Sequence, residues 1–594
     1  MITERDFLTL LQTCGNSKHL NQIQTQVITH GFQHNHNIIP KILSLSFTLL
    51  FQPQHSKLWF DIFLSSNKYP RPTPNSVSWN VMFKGYTNAG LYRRTLDLFD
   101  DMRKRDVEPN RYTFTFLLKS CAKIGDIRKG EKIQCISVKT GFQSNMFVGT
   151  ALIDVYSVCG LQKFARKVFD EMPVKNIVAW TAILSAYLLG GDLVSARDVF
   201  DCVIDRDIVV WNTMVSGYLK SGELEMAQQL FVQMPHKDLI CWNTMLQGYA
   251  NNGHDVEVCV KFFNEMPERN VFSWNGLIAG YIAHGQFSQA LHVFSQMLRE
   301  PNITPSEATI VMVLSACSKL GSLDLGMWVH VYAYGNEFRS NLNVGNGLID
   351  MYSKCGNVNA ALVIFHGMEF KDVVSWNAII GGLAMHGFGT EALDMFSQMS
   401  SNIQGVKPDG ITFVGILSAC THMGFVEQGF RYLNLMVEHY NILPWIEHYG
   451  CIVDLLGRSG LAEEALHFIQ TMPMEPDQIM WSSLVAACFN RGNVNLAEMA
   501  TKEILKFQPD EAANHVALSN VYGYVGRWKN VAETKLNMRQ KSSGKKLPGC
   551  SLIELNWEVA EFYSGDFRHS QTEEIYKMLV TLNGCLKKHN TNDY

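Results

Sequence analysis

The sequence holds no run of 18 uninterrupted apolar residues, no C-x-x-C pair and no excess of positive charge. The first absence excludes a helical membrane span. The longest apolar stretch near the start, residues 38–51, is interrupted by Pro40, Lys41 and several serines. The formal net charge of −4 argues against a protein that grips nucleic acid mainly by neutralising phosphates. Any nucleic-acid selectivity must come chiefly from base edges, with locally placed Lys and Arg assisting. No histidine is followed two residues later by Glu, and no Gly-rich phosphate loop or nucleophile motif is present. Cys585 and His589 are isolated, so no metal and no other cofactor is expected. The N-terminus, MITERDFLTLLQTC, lacks the form of a secretory signal, and with Glu4 and Asp6 against one arginine it is a poor transit peptide.

What the sequence does have is a globular composition, 47% hydrophobic and 18% charged, and 14 cysteines at matched places. Cys14, Cys121, Cys317, Cys420 and Cys488 each close a phrase such as LLQTC, LLKSC or LSAC. They read as small buried helix residues, and a disulfide framework is not expected in so long a chain.

Tryptophan followed by a small polar residue marks an internal repeat: Trp79-Asn80, Trp180-Thr181, Trp211-Asn212, Trp242-Asn243, Trp274-Asn275 and Trp376-Asn377. The inner steps are 31, 31 and 32 residues and the outer gaps 101 and 102, close to a triplet of 35, 35 and 31. Within 208–238, Trp211, Met214, Val215 and Tyr218 form one apolar helix face. Ser221-Gly222 breaks the pattern, and Ala227, Leu230, Phe231 and Met234 begin a second face. Pro235 stops that helix and Asp238 can cap the next. Each unit is therefore a helical hairpin that buries its faces only by stacking on its neighbours.

The tetratricopeptide repeat shares this hairpin, but it keeps a fixed length and wants glycine where Val215 stands. The phrases NTMVSGYLKSGELEMAQQLFVQMP, NGLIDMYSKCGNVNAALVIF and GVKPDGITFVGILSACTHMG instead resemble the pentatricopeptide repeat family. The likeness is to its plant subclass of mixed long and short motifs, and it covers nearly the whole chain. It implies an all-α, right-handed superhelical solenoid of stacked helix-turn-helix repeats. Residues 1–75 would hold degenerate repeats and 76–477 the main array. Its units start at 76, 111, 146, 177, 208, 239, 271, 307, 342, 373, 410 and 446. Residues 478–545 resemble E-type extension motifs, and 546–594 a tail with Pro548-Gly549 and a short β-hairpin around Asn556. The zinc deaminase domain that follows in many relatives is not matched, because its His-x-Glu and C-x-x-C are missing.

The resemblance implies that each repeat reads one base of a single-stranded RNA through its fifth and last residues. Those pairs are Asn80 with Asn110, Thr150 with Asn176, Thr181 with Asp207, Asn212 with Asp238, Asn243 with Asn270, Asn275 with Ser306, Asn346 with Asp372, and Asn377 with Asp409. The family's pairing habits give pyrimidine, any, A, G, U, pyrimidine, C, any, U, U from 5′ to 3′. Val311 and Val414 stand in the fifth place of two long units, with Asn341 and Trp445 last, and take no base. Asp207, Asp238 and Asp372 also precede apolar helix starts, where an N-cap belongs. The implied role is a non-enzymatic site-recognition factor for C-to-U editing in mitochondria, or in chloroplasts as the alternative. Its partners would be an organellar RNA and, through the extension, a deaminase-bearing relative or editing accessory factors. An RNA processing, stabilising or translation factor, or a protein-binding scaffold, are the competing expectations.

Overall fold

The computed structural model describes residues 3–50, 53–65, 76–252, 255–401, 405–491, 493–507, 512–541, 550–555, 558–563 and 571–590. It divides into two compact units, Met1–Glu268 and Arg269–Tyr594. Both are solenoids of stacked helical hairpins.

One repeat shows how the residues build the hairpin. The Asp207 side chain accepts from the Val210 N–H and starts the first helix, Ile208–Lys220. Gly222, at φ 79°, makes the left-handed turn that an L side chain adopts only at a cost. The second helix, Leu224–Gln233, ends where Met234 turns extended ahead of Pro235. Asp238 then caps the next first helix, Leu239–Asn251. Helix starts at Ser76, Arg111, Met146, Ile177, Ile208 and Leu239 open the repeats of the first unit. Val271, Glu307, Leu342, Val373, Gly410 and Ile446 open those of the second.

Successive repeats are joined by aromatic pairs. Trp180 meets Phe169 of the preceding repeat edge-to-face at 4.8 Å. Trp211 meets Phe200 at 5.0 Å and Trp376 meets Phe365 at 4.8 Å in the same way. The first helices also run close to one another. A Cβ on Gly217 would stand 2.4 Å from Leu188, and one on Gly382 would stand 2.3 Å from the Ser353 hydroxyl. Cys14, Cys121, Cys317, Cys420 and Cys488 are buried and unbridged. Burial pushes the thiols of Cys121 up to about 12 and of Cys420 and Cys488 up to about 11.

The basic residues just before the caps serve this frame. Lys175, Lys237 and Lys371 each donate to a carbonyl at the end of the preceding second helix, at 3.0, 2.8 and 2.6 Å. Arg206 donates to the Phe200 carbonyl at 2.9 Å and lies 4.5 Å above its ring. These cations satisfy orphan carbonyls and stack on phenylalanine.

After residue 477 the hairpins continue as Gln478–Arg491 with Val494–Phe507 and Ala512–Tyr524 with Trp528–Lys541. Met480, Leu484, Ala497 and Ile504 extend the core that holds Leu456 and Ile469. Two antiparallel strands follow, β1 (Cys550–Leu555) and β2 (Glu558–Tyr563), with Leu555 opposite Glu558. The expected hairpin is therefore present, while Pro548-Gly549 and Asn556 lie outside the described residues. A last helix spans Thr572–Asn590. No described helix is long and apolar enough to cross a membrane.

Candidate nucleic-acid interface

The fifth residue of a repeat sits in the second turn of its first helix. The last residue is the N-cap of the next first helix. Stacking brings these two places together, and with them the third residue of the following repeat, which is the N3 position of that helix.

At the junction after 373–409, Asn377 Nδ2 donates to Asp409 Oδ1 at 2.9 Å. The Thr412 hydroxyl donates to Asn377 Oδ1 at 2.6 Å, and Asp409 Oδ1 also accepts from the Thr412 N–H at 2.9 Å. The junction after 342–372 repeats this. Asn346 Nδ2 donates to Asp372 at 3.1 Å, and Ser375 Oγ donates to Asn346 Oδ1 at 2.6 Å. Asn275 donates to Ser306 Oγ at 3.2 Å and accepts from Thr309 at 2.7 Å. Asn80 donates to Asn110 at 3.0 Å and accepts from Thr113 at 2.8 Å.

Threonine in the fifth place behaves differently. Thr150 and Thr181 donate their hydroxyl hydrogens to their own helix, to Met146 O and Ile177 O, each at 2.8 Å. Only their lone pairs remain for a ligand. Asn176 Oδ1 caps the Ala179 N–H and its Nδ2 approaches Met146 Sδ at 3.5 Å. Asp207 and Asp238 cap Val210 and Cys241, both at 2.9 Å. Asn212 Oδ1 is buried with no partner among the described residues. Asn243 belongs to the first compact unit and Asn270 to the second, where Asn270 caps the helix that begins at Val271.

The caps and the last members of the expected pairs are thus the same groups. Each capping aspartate uses Oδ1 for its helix. Oδ2 of Asp207, Asp372 and Asp409 carries no hydrogen bond among the described residues. Burial raises the Asp372 carboxyl, but the Ser375 N–H and hydroxyl and the Asn346 amide lower it by more, so it sits below its usual value.

The expected residues are half-buried, except Asn346, which is buried, and Asp207, which is exposed. Six of them line grooves: Thr150, Asn176, Ser306, Asn346, Asn377 and Asp409. One groove of 520 Å³ is lined by Thr115, Lys119, Lys123, Thr150, Asp154 and Asn176. Burial pushes the Asp154 carboxyl up, with Lys119 and Lys123 opposing the shift. A groove in the second unit, of 1050 Å³, is lined by Ser306, Val311, Asn346, Asn377 and Asp409.

Three features escaped the sequence reading. Thr115 and Asn145 occupy the fifth and last places of 111–145. Thr115 donates to Arg111 O and Asn145 caps the next helix, as in the Thr150 repeat. The second residue of most repeats is a large apolar side chain left exposed: Val77, Tyr112, Phe147, Val178, Val209, Ile240, Phe272, Val374 and Ile411. The signal was an apolar residue where the helix pattern needs none. Lys123, Lys220, Lys319, Lys354 and Arg458 recur in the last turn of first helices, all exposed. There they also complement the helix dipole.

Comparison with known proteins identifies the repeats. Residues 74–123, 269–319 and 371–422 match the PPR repeat family. Residues 150–177, 178–208, 209–239, 240–271 and 346–373 match the PPR repeat, and 491–554 match the E motif. A chloroplastic pentatricopeptide repeat-containing protein of Arabidopsis thaliana is 38% identical over 98% of this chain and 82% of its own length. A second such Arabidopsis protein is 37% identical over 95% of this chain and 91% of its own. A mitochondrial one is 36% identical over 87% and 80%. The crystal structure of maize pentatricopeptide repeat protein PPR10 matches with a TM-score of 0.51 and 16% identity. That match covers 90% of this chain and 78% of the maize chain, a likeness of fold.

Proposed function

The chain belongs to the pentatricopeptide repeat family, and from that premise we propose that it reads single-stranded RNA one base per repeat and selects a cytidine for C-to-U editing in an organelle. The carrying observation is the set of junctions at which capped side chains keep unused donors or acceptors, and the pairs Thr150 with Asn176 and Asn377 with Asp409 line grooves. One base per helical repeat is the mode by which such repeats bind RNA.

The unused atoms match Watson–Crick edges. Thr181 offers lone pairs and Asp207 a free Oδ2. Two acceptors suit the N1–H and N2–H₂ of guanine. Asn377 keeps one N–H and Asp409 its Oδ2. A donor beside an acceptor suits a uracil carbonyl and N3–H. Thr150 with Asn176 offers an acceptor and an amide donor, which suits N6–H₂ and N1 of adenine. Asn80 and Asn110 both spend their oxygens within the protein and keep N–H groups, which suits N3 and O2 of cytosine. Thr115 with Asn145 repeats the adenine arrangement, so the second slot joins the readers. The exposed apolar second residues would flank the bases as stacking surfaces, and the last-turn lysines would meet phosphates.

The editing role rests on the E-type extension, since repeats alone suffice to block or protect a transcript. The reading assigns the deaminase to a partner docked on that extension. The helix Thr572–Asn590 leaves Met578, Leu579, Val580 and Leu582 exposed for it. Chloroplastic and mitochondrial relatives support an organelle, and we take the mitochondrion, with the chloroplast as the alternative.

Replacing Thr181 with Asn is the sharpest test, because the slot then offers a donor beside Asp207. In gel-shift titrations with RNAs that differ at that nucleotide, preference for G should fall, with only a weak move toward U, because Val210 brings no hydroxyl to hold the new amide. Each lost contact should cost about 1 kcal/mol. Equal binding of the matched RNA and a scrambled one would overturn RNA reading. Transcript ends altered in a knockout, with every C edited as before, would overturn the editing role alone.

A further inference from the structure

The chemistry of the third residue of each following repeat tracks that of the fifth residue. Asn80, Asn275, Asn346 and Asn377 each accept a hydroxyl from the next repeat: Thr113, Thr309, Ser375 and Thr412, at 2.8, 2.7, 2.6 and 2.6 Å. Where the fifth place holds Thr115, Thr150, Thr181 or Val311, the matching third residue is Val148, Ala179, Val210 or Val344, none with a donor. Asn212 is the exception, since Cys241 stands where the hydroxyl belongs and Oδ1 is left unpartnered.

A threonine in the fifth place needs no such help, because its hydroxyl is already tied to its own helix. An asparagine amide rotates about its last bond and offers a donor at one end and an acceptor at the other. The last residue of the repeat holds the nitrogen end. The hydroxyl holds the oxygen end. With both ends held the amide plane is set, and the spare N–H is the only donor it can aim into the groove.

We propose that the third residue of the following repeat is a positioning residue for base selection: its hydroxyl locks the reading asparagine as a donor. This rests on the base-reading proposal above. It ranks repeats that share one reading pair. Asn346 with Asp372 and Asn377 with Asp409 are locked by Ser375 and Thr412. Asn212 with Asp238 is held at one end at most, and so discriminates less sharply.

The test compares the full-length chain with Thr412→Val, Thr412→Ser and Cys241→Ser. Each is titrated with four RNAs that differ only at the nucleotide facing Asn377, and four that differ only at the one facing Asn212. Thr412→Val should lower uracil preference at the Asn377 position on the order of fivefold, the ratio set by one net hydrogen bond. Thr412→Ser should keep it, and Cys241→Ser should raise preference at the Asn212 position by a similar factor. A purely structural role for Thr412, as part of the cap on Gly410–Met423, would weaken all four RNAs alike and leave the ratio unchanged. An unchanged ratio in Thr412→Val overturns the inference and leaves base reading standing. If that variant does not fold, an unchanged ratio in Cys241→Ser overturns it instead. If the unaltered protein binds all four RNAs equally at both positions, base reading itself falls and takes this inference with it.

Discussion

At the junction after 373–409, Asn377, Asp409 and Thr412 form a closed polar set with a spare donor and a spare acceptor. At the junction after 307–341 the same three places hold Val311, Asn341 and Val344. There Asn341 Nδ2 donates to Glu307 at 2.7 Å and Asn343 Nδ2 donates to the other Glu307 oxygen at 2.6 Å. The junction after 410–445 goes further, with Val414, Trp445 and a fully buried His448. His448 Nδ1 accepts the Trp445 N–H, so Nε2 carries the hydrogen and donates to the Gly410 carbonyl at 2.8 Å. All three junctions sit on the same hairpin with equally buried apolar faces. Ile310, Phe413 and Ile380 are each fully buried. The frame is therefore indifferent to what its slot contains. Packing lives in the seam between helices and the polar set sits apart from it at the rim, so one can vary without the other.

The largest expected effect probes the shared half of that comparison. Trp376→Ala and Phe413→Ala should each cost about 3–5 kcal/mol, as truncation of a buried aromatic does. Denaturant melts of both variants should agree, although only one of the two junctions carries the polar set. A wide gap between them would break the separation of frame from slot.

A smaller effect probes the half that differs. Val311→Asn alone should change base preference at its position by less than about twofold, since Val344 brings no hydroxyl donor to hold the new amide. Adding Val344→Thr should introduce a pyrimidine preference of about fivefold, read by the same RNA titration. A preference already present in the single variant would show that the slot needs no lock.

The smallest effect is in acid. The Asp372 carboxyl is held below its usual value in the folded chain. Its stabilisation is therefore present above the unfolded value near pH 4 and is lost as pH falls through the folded value. For a half-exposed group this amounts to under about 1 kcal/mol. Thermal melts from pH 6 down to pH 3 should fall less steeply for Asp372→Asn than for the unaltered chain, and parallel curves would remove this role.

Much of the fold was legible from Trp211, Met214, Val215 and Tyr218, because burial of a helix face repeats every 3.6 residues whatever surrounds it. The caps were legible too, since Asp207 and Asp238 need only their own helix. The role of the penultimate Lys175, Lys237 and Lys371 was not legible, since the carbonyl each one holds belongs to the preceding helix end and is met only in the folded chain. The exposed second residues were missed because Val178 and Val209 lie off the apolar face that the helix period picks out, and only the folded chain shows them left in solvent.

By itself the sequence determined the hairpin, its length and its caps, since these depend on neighbours a few positions away; the pairs of fifth and last residues came from the family resemblance. Only the tertiary structure decided which atoms of those pairs are spent and which are left. Asn377 and Thr412 lie 35 residues apart, and the bond between them exists only because one repeat stacks on the next. A hydrogen bond is directional, so which end of an amide faces the groove follows from that stacking and from nothing local.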